Sequence, residues 1–169
     1  MDYSKRGELK ISMEGYLKEV LDNFPEEIPG RVEMPAATHL FEFRNGKEQT
    51  IMDKPRGQVF NYSVAKLLFT STRCREDIQT AVALLTTQVR SFDEDDWRKV
   101  QRLLQYVKCT IQLPLILSAD NLNVLKWWVD ASYAAHDDMG GNTTATMSLG
   151  FGSLISMSKK QKINTMSST

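Results

Sequence analysis

The feature that most constrains this chain is a change of hydrophobic period near residue 110. From Ser63 onward apolar residues recur at helical spacing, with Val64, Leu67 and Leu68 followed by Ile78, Ala81, Val82, Leu85 and Val89. A third helix opens near Ser91, where Ser91 and Glu94 have the spacing of a capping box, and it turns Trp97, Val100, Leu103, Leu104 and Val107 inward. Past residue 110 the runs shorten. Ile111 to Leu117, Val124 to Val129, and Thr144 to Leu149 with its strict alternation all read as strands, and Gly150-Phe151-Gly152 reads as a hairpin turn into a strand over 153–158. Helices followed by antiparallel strands make an α+β chain.

Upstream, Glu8 to Ile11 reads as a short strand. Ser12 then precedes an amphipathic helix carrying Tyr16, Leu17, Val20, Leu21 and Phe24. Pro25, Pro29, Gly30 and Pro35 break it, and residues 25–62 offer turn chemistry and scattered aromatics (Phe41, Phe43, Phe60) without a sustained period, so they read as a long connection. No internal repeat is visible. At 169 residues the chain has room for one ordinary domain or pieces of two.

Charge and cysteine content narrow the function. Lysine plus arginine and aspartate plus glutamate are 21 each, so no net field draws the chain to nucleic acid or an anionic membrane. Any such binding is local, and the mildly basic middle third is the place for it. Cys74 and Cys109 lack metal-ligand spacing and, without a leader peptide, read as reduced thiols of a cytoplasmic or nuclear protein. No apolar stretch approaches the roughly 20 residues of a membrane span.

Few residues suggest chemistry. Asp130 follows the dense apolar run Leu125-Lys126-Trp127-Trp128-Val129, and a carboxylate there is costly if buried unless it is paired or binds a cation. It reads either as a strand-end cap or as a metal ligand. Asp95 and Asp96 fall in the first turn of a helix, where acids favour the positive end of the dipole, and Asp137 and Asp138 read as a solvated loop. Gly150-Phe151-Gly152 lacks the rest of a dinucleotide fingerprint, and there is no phosphate loop, nucleophile elbow or helical pair of histidines. His39 and His136 read as surface residues. Arg98, Lys99, Arg102 and Lys108 form a basic helix face that could lie along a phosphate backbone, offset in part by Asp93 to Asp96.

The order of these segments resembles the reverse transcriptase and RNase H portion of copia-type retrotransposon Pol polyproteins, over most of the chain. Leu9-Lys10-Ile11-Ser12 with Tyr16-Leu17 resembles the strand and helix after the polymerase palm, and Met34-Pro35-Ala36 a threonine-proline segment of the family. Thr72-Arg73-Cys74-Arg75-Glu76-Asp77-Ile78 with Ala81-Val82 resembles a Thr-Arg-Pro-Asp-Ile block, with Glu76 in place of proline. Asp96-Trp97, Lys99, Arg102 to Lys108 and Thr110 resemble the helix that follows it, with Asp96 for histidine and Cys109 for glycine. Val129-Asp130-Ala131-Ser132, Thr143 to Leu149, and Ser158 to Lys162 with Ser167-Ser168-Thr169 resemble the opening strands of RNase H.

By this resemblance, residues 1–62 are the end of the palm and a connection, 63–118 a helical thumb or connection region, and 119–169 a truncated RNase H-like antiparallel sheet. Asp130 corresponds to the first catalytic carboxylate of a site that holds two Mg²⁺ ions on an RNA–DNA hybrid. It is vestigial here, because the resemblance puts the polymerase aspartates before Met1 and the next RNase H acid after Thr169. The expectation is a catalytically silent piece that binds no Mg²⁺ tightly and engages nucleic acid only weakly. The rival readings are a non-enzymatic nucleic-acid or protein binding module and a relic with no selected function. Without covering helices, one face of strands 124–129 and 144–158 is expected to be exposed and to promote self-association.

Overall fold

In the computed structural model, residues 1–37, 53–132 and 140–161 are described. The chain order is β1 (Glu8–Ile11), α1 (Glu14–Asp22), α2 (Lys54–Ser71), a 3-10 turn (Glu76–Ile78), α3 (Gln79–Gln88), α4 (Glu94–Cys109), β2 (Leu115–Ala119), β3 (Lys126–Ser132), β4 (Asn142–Ser148), β5 (Gly150–Phe151) and β6 (Ile155–Lys160). This is an α+β chain, as its two hydrophobic periods require.

The helices share one core. Leu17 and Val20 of α1, Phe60, Val64 and Leu67 of α2, Val82 and Leu85 of α3, and Trp97, Leu103, Leu104 and Val107 of α4 are all buried in a single apolar cluster. Each helix contributes the stripe that its period of 3.6 residues defines. Phe24 stacks on Trp97 with ring centroids 5.1 Å apart, and Phe60 on Phe92 at 4.7 Å.

Two starts differ from the sequence reading. Helix α2 begins at Lys54, so residues 54–62 are helical rather than connection, and the helix runs across the boundary drawn at 62/63. Pro55 and Gly57 look like breakers, yet proline is tolerated in the first helical turn, and a Cβ on Gly57 would sit 3.3 Å from the Phe92 ring. The glycine lets the helix close on that ring. Helix α4 is capped by Asp93, not Ser91: Asp93 accepts from the N–H groups of Asp95 (2.8 Å) and Asp96 (3.0 Å), and Asp96 accepts from the Asp93 N–H at 3.2 Å. The capping box is real but built from two aspartates.

The strands form two three-stranded antiparallel sheets among the described residues, in the orders β1-β2-β5 and β3-β4-β6. Of the run expected over 111–117 only residues 115–117 are strand; β2 continues to Ala119 and pairs with β1 through Glu8↔Ser118 to Ile11↔Leu115, while residues 111–114 form the exit from α4. Gly150-Phe151-Gly152 is not a tight hairpin. Gly150 and Phe151 form β5 and pair with Ala119 and Ser118, so the link from β4 to β6 stitches the two sheets together. Glycine is required at its end, since Gly152 has φ +76° and a Cβ there would fall 2.0 Å from the Ile116 carbonyl oxygen.

Helix α3 joins the second sheet to the helical body. The buried Gln79 amide donates to the Ser156 carbonyl at 2.9 Å and accepts from the Ser156 hydroxyl at 2.7 Å. By register, Ser156, Thr146 and Trp128 share the face that α3 touches. The opposite face carries Trp127, Val129, Met147, Ala145, Ile155 and Met157, and the four of these on β3 and β6 are exposed. An open apolar sheet face was the expectation for this region.

Candidate functional site

The basic surface of α4 is the first candidate, and its four cations have different environments. Lys99 is buried, with Nζ 3.0 Å from Asp95 and 3.9 Å from Asp96, so its charge is spent at the start of its own helix. Lys108 donates to the Ile28 carbonyl at 2.8 Å, and six residues of helix turn it about 120° away from Arg102. Arg98 is exposed and Arg102 half-buried. With Lys99 they line a cavity of about 360 Å³ whose other walls are Pro35, Ala36, Ala37, Ala81 and Leu85. The Arg102 Nε is buried and lacks a hydrogen-bond partner among the described residues. Of the basic helix face, Arg98 and Arg102 stay at this cavity without an ion pair among the described residues, while Lys99 folds inward to Asp95 at the i,i+4 spacing that favours one.

The acids beside them are unequal. Asp96 is buried, and that burial pushes its carboxyl up to about 6, against the Asp93 N–H and Lys99, which favour the charged form. Asp93 serves as the cap. The arrangement anchors a helix start.

Asp130 lies inside β3, opposite Thr144 on β4. It is exposed, not at the end of a buried strand, because β3 is an edge strand whose side chains meet solvent. Its carboxylate makes no hydrogen bond or ion pair with the described residues, and the segment 133–139 that follows the strand lies outside them. No group of three or more His, Cys, Asp or Glu residues that could hold a metal occurs among the described residues. A two-ion Mg²⁺ site needs several carboxylates, and the described residues bring no such group together at Asp130. His39, His136, Asp137, Asp138 and Ser167 to Thr169 lie outside the described residues.

Sequence reasoning missed two polar clusters. Arg75 is fully buried: its Nε and one terminal nitrogen grip Asp77 at 2.9 and 2.8 Å, and its terminal nitrogens reach the Thr110 carbonyl at 3.1 Å and hydroxyl at 2.7 Å. Burial works against its charge, but the Asp77 bond and charge outweigh it and hold its proton more tightly than usual. Tyr106 lies beneath the guanidinium at 5.7 Å. The second cluster centres on Glu26, which pairs with Arg56 at 2.8 Å and accepts from Trp97 Nε1 at 3.3 Å and from the Gln101 amide. The Arg-x-Asp spacing of residues 75–77 was a signal for the first. Nothing local announces Glu26, whose partners lie 30 to 75 residues away.

The blocks Thr72 to Val82 and Arg102 to Thr110 thus meet through Arg75, Asp77, Tyr106 and Thr110. Along nearly its whole length the chain is similar to a retrovirus-related Pol polyprotein of a transposon. That relative is the Pol polyprotein of transposon TNT 1-94 from Nicotiana tabacum, 27% identical over 164 residues that make up 95% of this chain. The chain spans 12% of the relative's length. No family model matches the chain, and no solved structure does. Among the described residues no helix is long and apolar enough to cross a membrane.

Proposed function

We propose that this chain is a catalytically silent segment of a copia-type retrotransposon Pol polyprotein, drawn from the end of the reverse transcriptase and the start of RNase H. The observation that carries the reading is the collinear similarity to a Pol polyprotein over 95% of the chain. The silence is inferred from Asp130, which is exposed and, among the described residues, belongs to no group of three or more metal-ligating side chains. Polymerisation and strand hydrolysis belong to the parent polyprotein in this reading, and so does its Mg²⁺.

The test is direct. The purified chain, supplied with Mg²⁺ and an RNA–DNA hybrid, is expected to leave the RNA strand intact, and a primed template is expected to stay unextended. Hybrid cleavage that disappears in Asp130→Asn would overturn the reading.

A second reading, a non-enzymatic nucleic-acid binding module, is favoured by the Arg102 Nε, unpartnered among the described residues, beside Arg98. It predicts retention on a phosphate-bearing polymer that falls with salt and is lost in Arg98→Ala/Arg102→Ala. Lys99→Ala tests the geometry separately, because Lys99 is tied to Asp95 and its loss should leave the salt dependence nearly unchanged.

A further inference from the structure

The outer edge of β3 carries a sequence that is its own electrostatic complement. On this edge no described strand pairs with Lys126-Trp127-Trp128-Val129-Asp130, and Trp127, Trp128 and Val129 are 58%, 53% and 68% exposed. An uncovered edge is a template for strand addition, which proteins ordinarily block with charge, proline or a bulge. The segment has neither proline nor glycine. Its two charges are of opposite sign and four residues apart, centred on Trp128.

That spacing selects one partner. Antiparallel pairing of two copies of one strand places a two-fold axis normal to the sheet, and each face stays on its own side. Residues directly opposite must then share a face, so their numbers sum to an even value. Centring on Trp127 puts Asp130 opposite Val124 and Lys126 opposite Trp128. Centring on Val129 puts Asp130 opposite Trp128 and Lys126 opposite Ser132. Centring on Trp128 puts Lys126 opposite Asp130 in both directions, Trp127 opposite Val129, and Trp128 opposite itself.

We propose that β3 is a homodimerisation edge: two copies pair antiparallel in the register centred on Trp128, giving a continuous six-stranded sheet. Two cross-strand ion pairs, an aromatic pair and two tryptophan–valine pairs then form together, the combinations that stabilise neighbouring strands. Asp130 is available because it is exposed and has no partner within the described residues. Lys126 binds Asp120 of its own chain, and that carboxylate remains beside it in the dimer. The proposal gives Asp130 a role independent of metal, and it stands or falls apart from the Pol reading.

The experiment uses the full chain with Cys109→Ser, so that the exposed native thiol does not cross-link, while the buried Cys74 is retained. Sedimentation over a concentration series is expected to show a monomer–dimer equilibrium. Asp130→Lys creates two Lys–Lys oppositions and Lys126→Asp two Asp–Asp oppositions, and each should weaken dimerisation by about tenfold or more. An equimolar mixture of the two variants restores both ion pairs and should associate about as tightly as the parent. Circular dichroism of each variant verifies that it is folded.

Register is read separately. Trp128→Cys should join to itself through a short bismaleimide. Ser132→Cys should not, because its two copies lie about 27 Å apart in this register. A chain that stays monomeric throughout, association indifferent to both charge reversals, mixing that fails to restore it, or cross-linking at residue 132 instead of 128 would each overturn the proposal.

Discussion

Asp96 shows how much one carboxylate can shift the pH response of this chain. Burial raises its folded-state value from 3.8 to about 6. The stabilising contribution of the protonated group is complete below its unfolded value and is lost as pH rises through about 6. Two pKa units correspond to about 3 kcal/mol, which sets the ceiling. Asparagine keeps the oxygen that accepts the Asp93 N–H and never ionises. Asp96→Asn is therefore expected to match the parent near pH 3 and to be about 1–3 kcal/mol more stable at pH 7.5. Urea midpoints of the two proteins at both pH values check this, and a variant less stable at pH 7.5 would mean that the charge itself supports the helix. Asp130 contrasts with it. Exposed and unpaired among the described residues, it should tolerate Asp130→Asn within about 0.5 kcal/mol in the dilute monomer, and a larger loss in denaturant midpoint would establish a capping role. Sequence placed Asp95 and Asp96 at a helix start, because dipole and propensity are local. It could not tell that Asp96 is buried and Asp130 is not, because burial depends on which elements pack over each residue.

At the scale of elements, the helical stripes were legible and the exceptions have identifiable causes. Trp97, Leu103, Leu104 and Val107 enter the same core as Leu67 and Val82, as their spacing requires. The start of α2 was hidden because Pro55 and Gly57 look like breakers, although one sits in the first turn and the other clears space for Phe92. β5 was hidden because two residues carry no period, and its pairing with β2 joins positions more than thirty residues apart. The clasp of Arg75 on Asp77 and Thr110 holds the end of α4 against the 3-10 turn. A buried charge left without its partner is costly, so Asp77→Ala should destabilise the protein by about 3–5 kcal/mol. Replacing Arg75 and Asp77 together with Met and Leu removes both charges and should cost much less. Equal losses in the two variants, measured by denaturant unfolding, would show that the pair contributes by shape rather than by charge compensation.

Across the whole molecule, stability should be distributed in two tiers. Every described member of the buried apolar cluster lies between Leu17 and Val107, so the cluster belongs to the helices and their connections. The β3-β4-β6 sheet has one apolar face open, and its polar face meets the helical body where Gln79 holds both the carbonyl and the hydroxyl of Ser156. Elements with few buried apolar contacts open at lower free energy than those inside a core. Amides of β3, β4 and β6 should therefore exchange with solvent through a sub-global opening, well before those of α2 and α4. Gln79→Ala removes two buried hydrogen bonds and leaves the Ser156 carbonyl short of a donor, which should lower the free energy of that opening by about 1–3 kcal/mol. The α4 amides should keep their protection, because Gln79 is not a member of the buried apolar cluster that α4 joins. Hydrogen exchange on Asp130→Lys, in which edge pairing between copies is suppressed, isolates this effect from dimerisation. Uniform protection across sheet and helices, or a Gln79→Ala change that spreads equally into α4, would mean that the sheet and the helical body unfold as one cooperative unit.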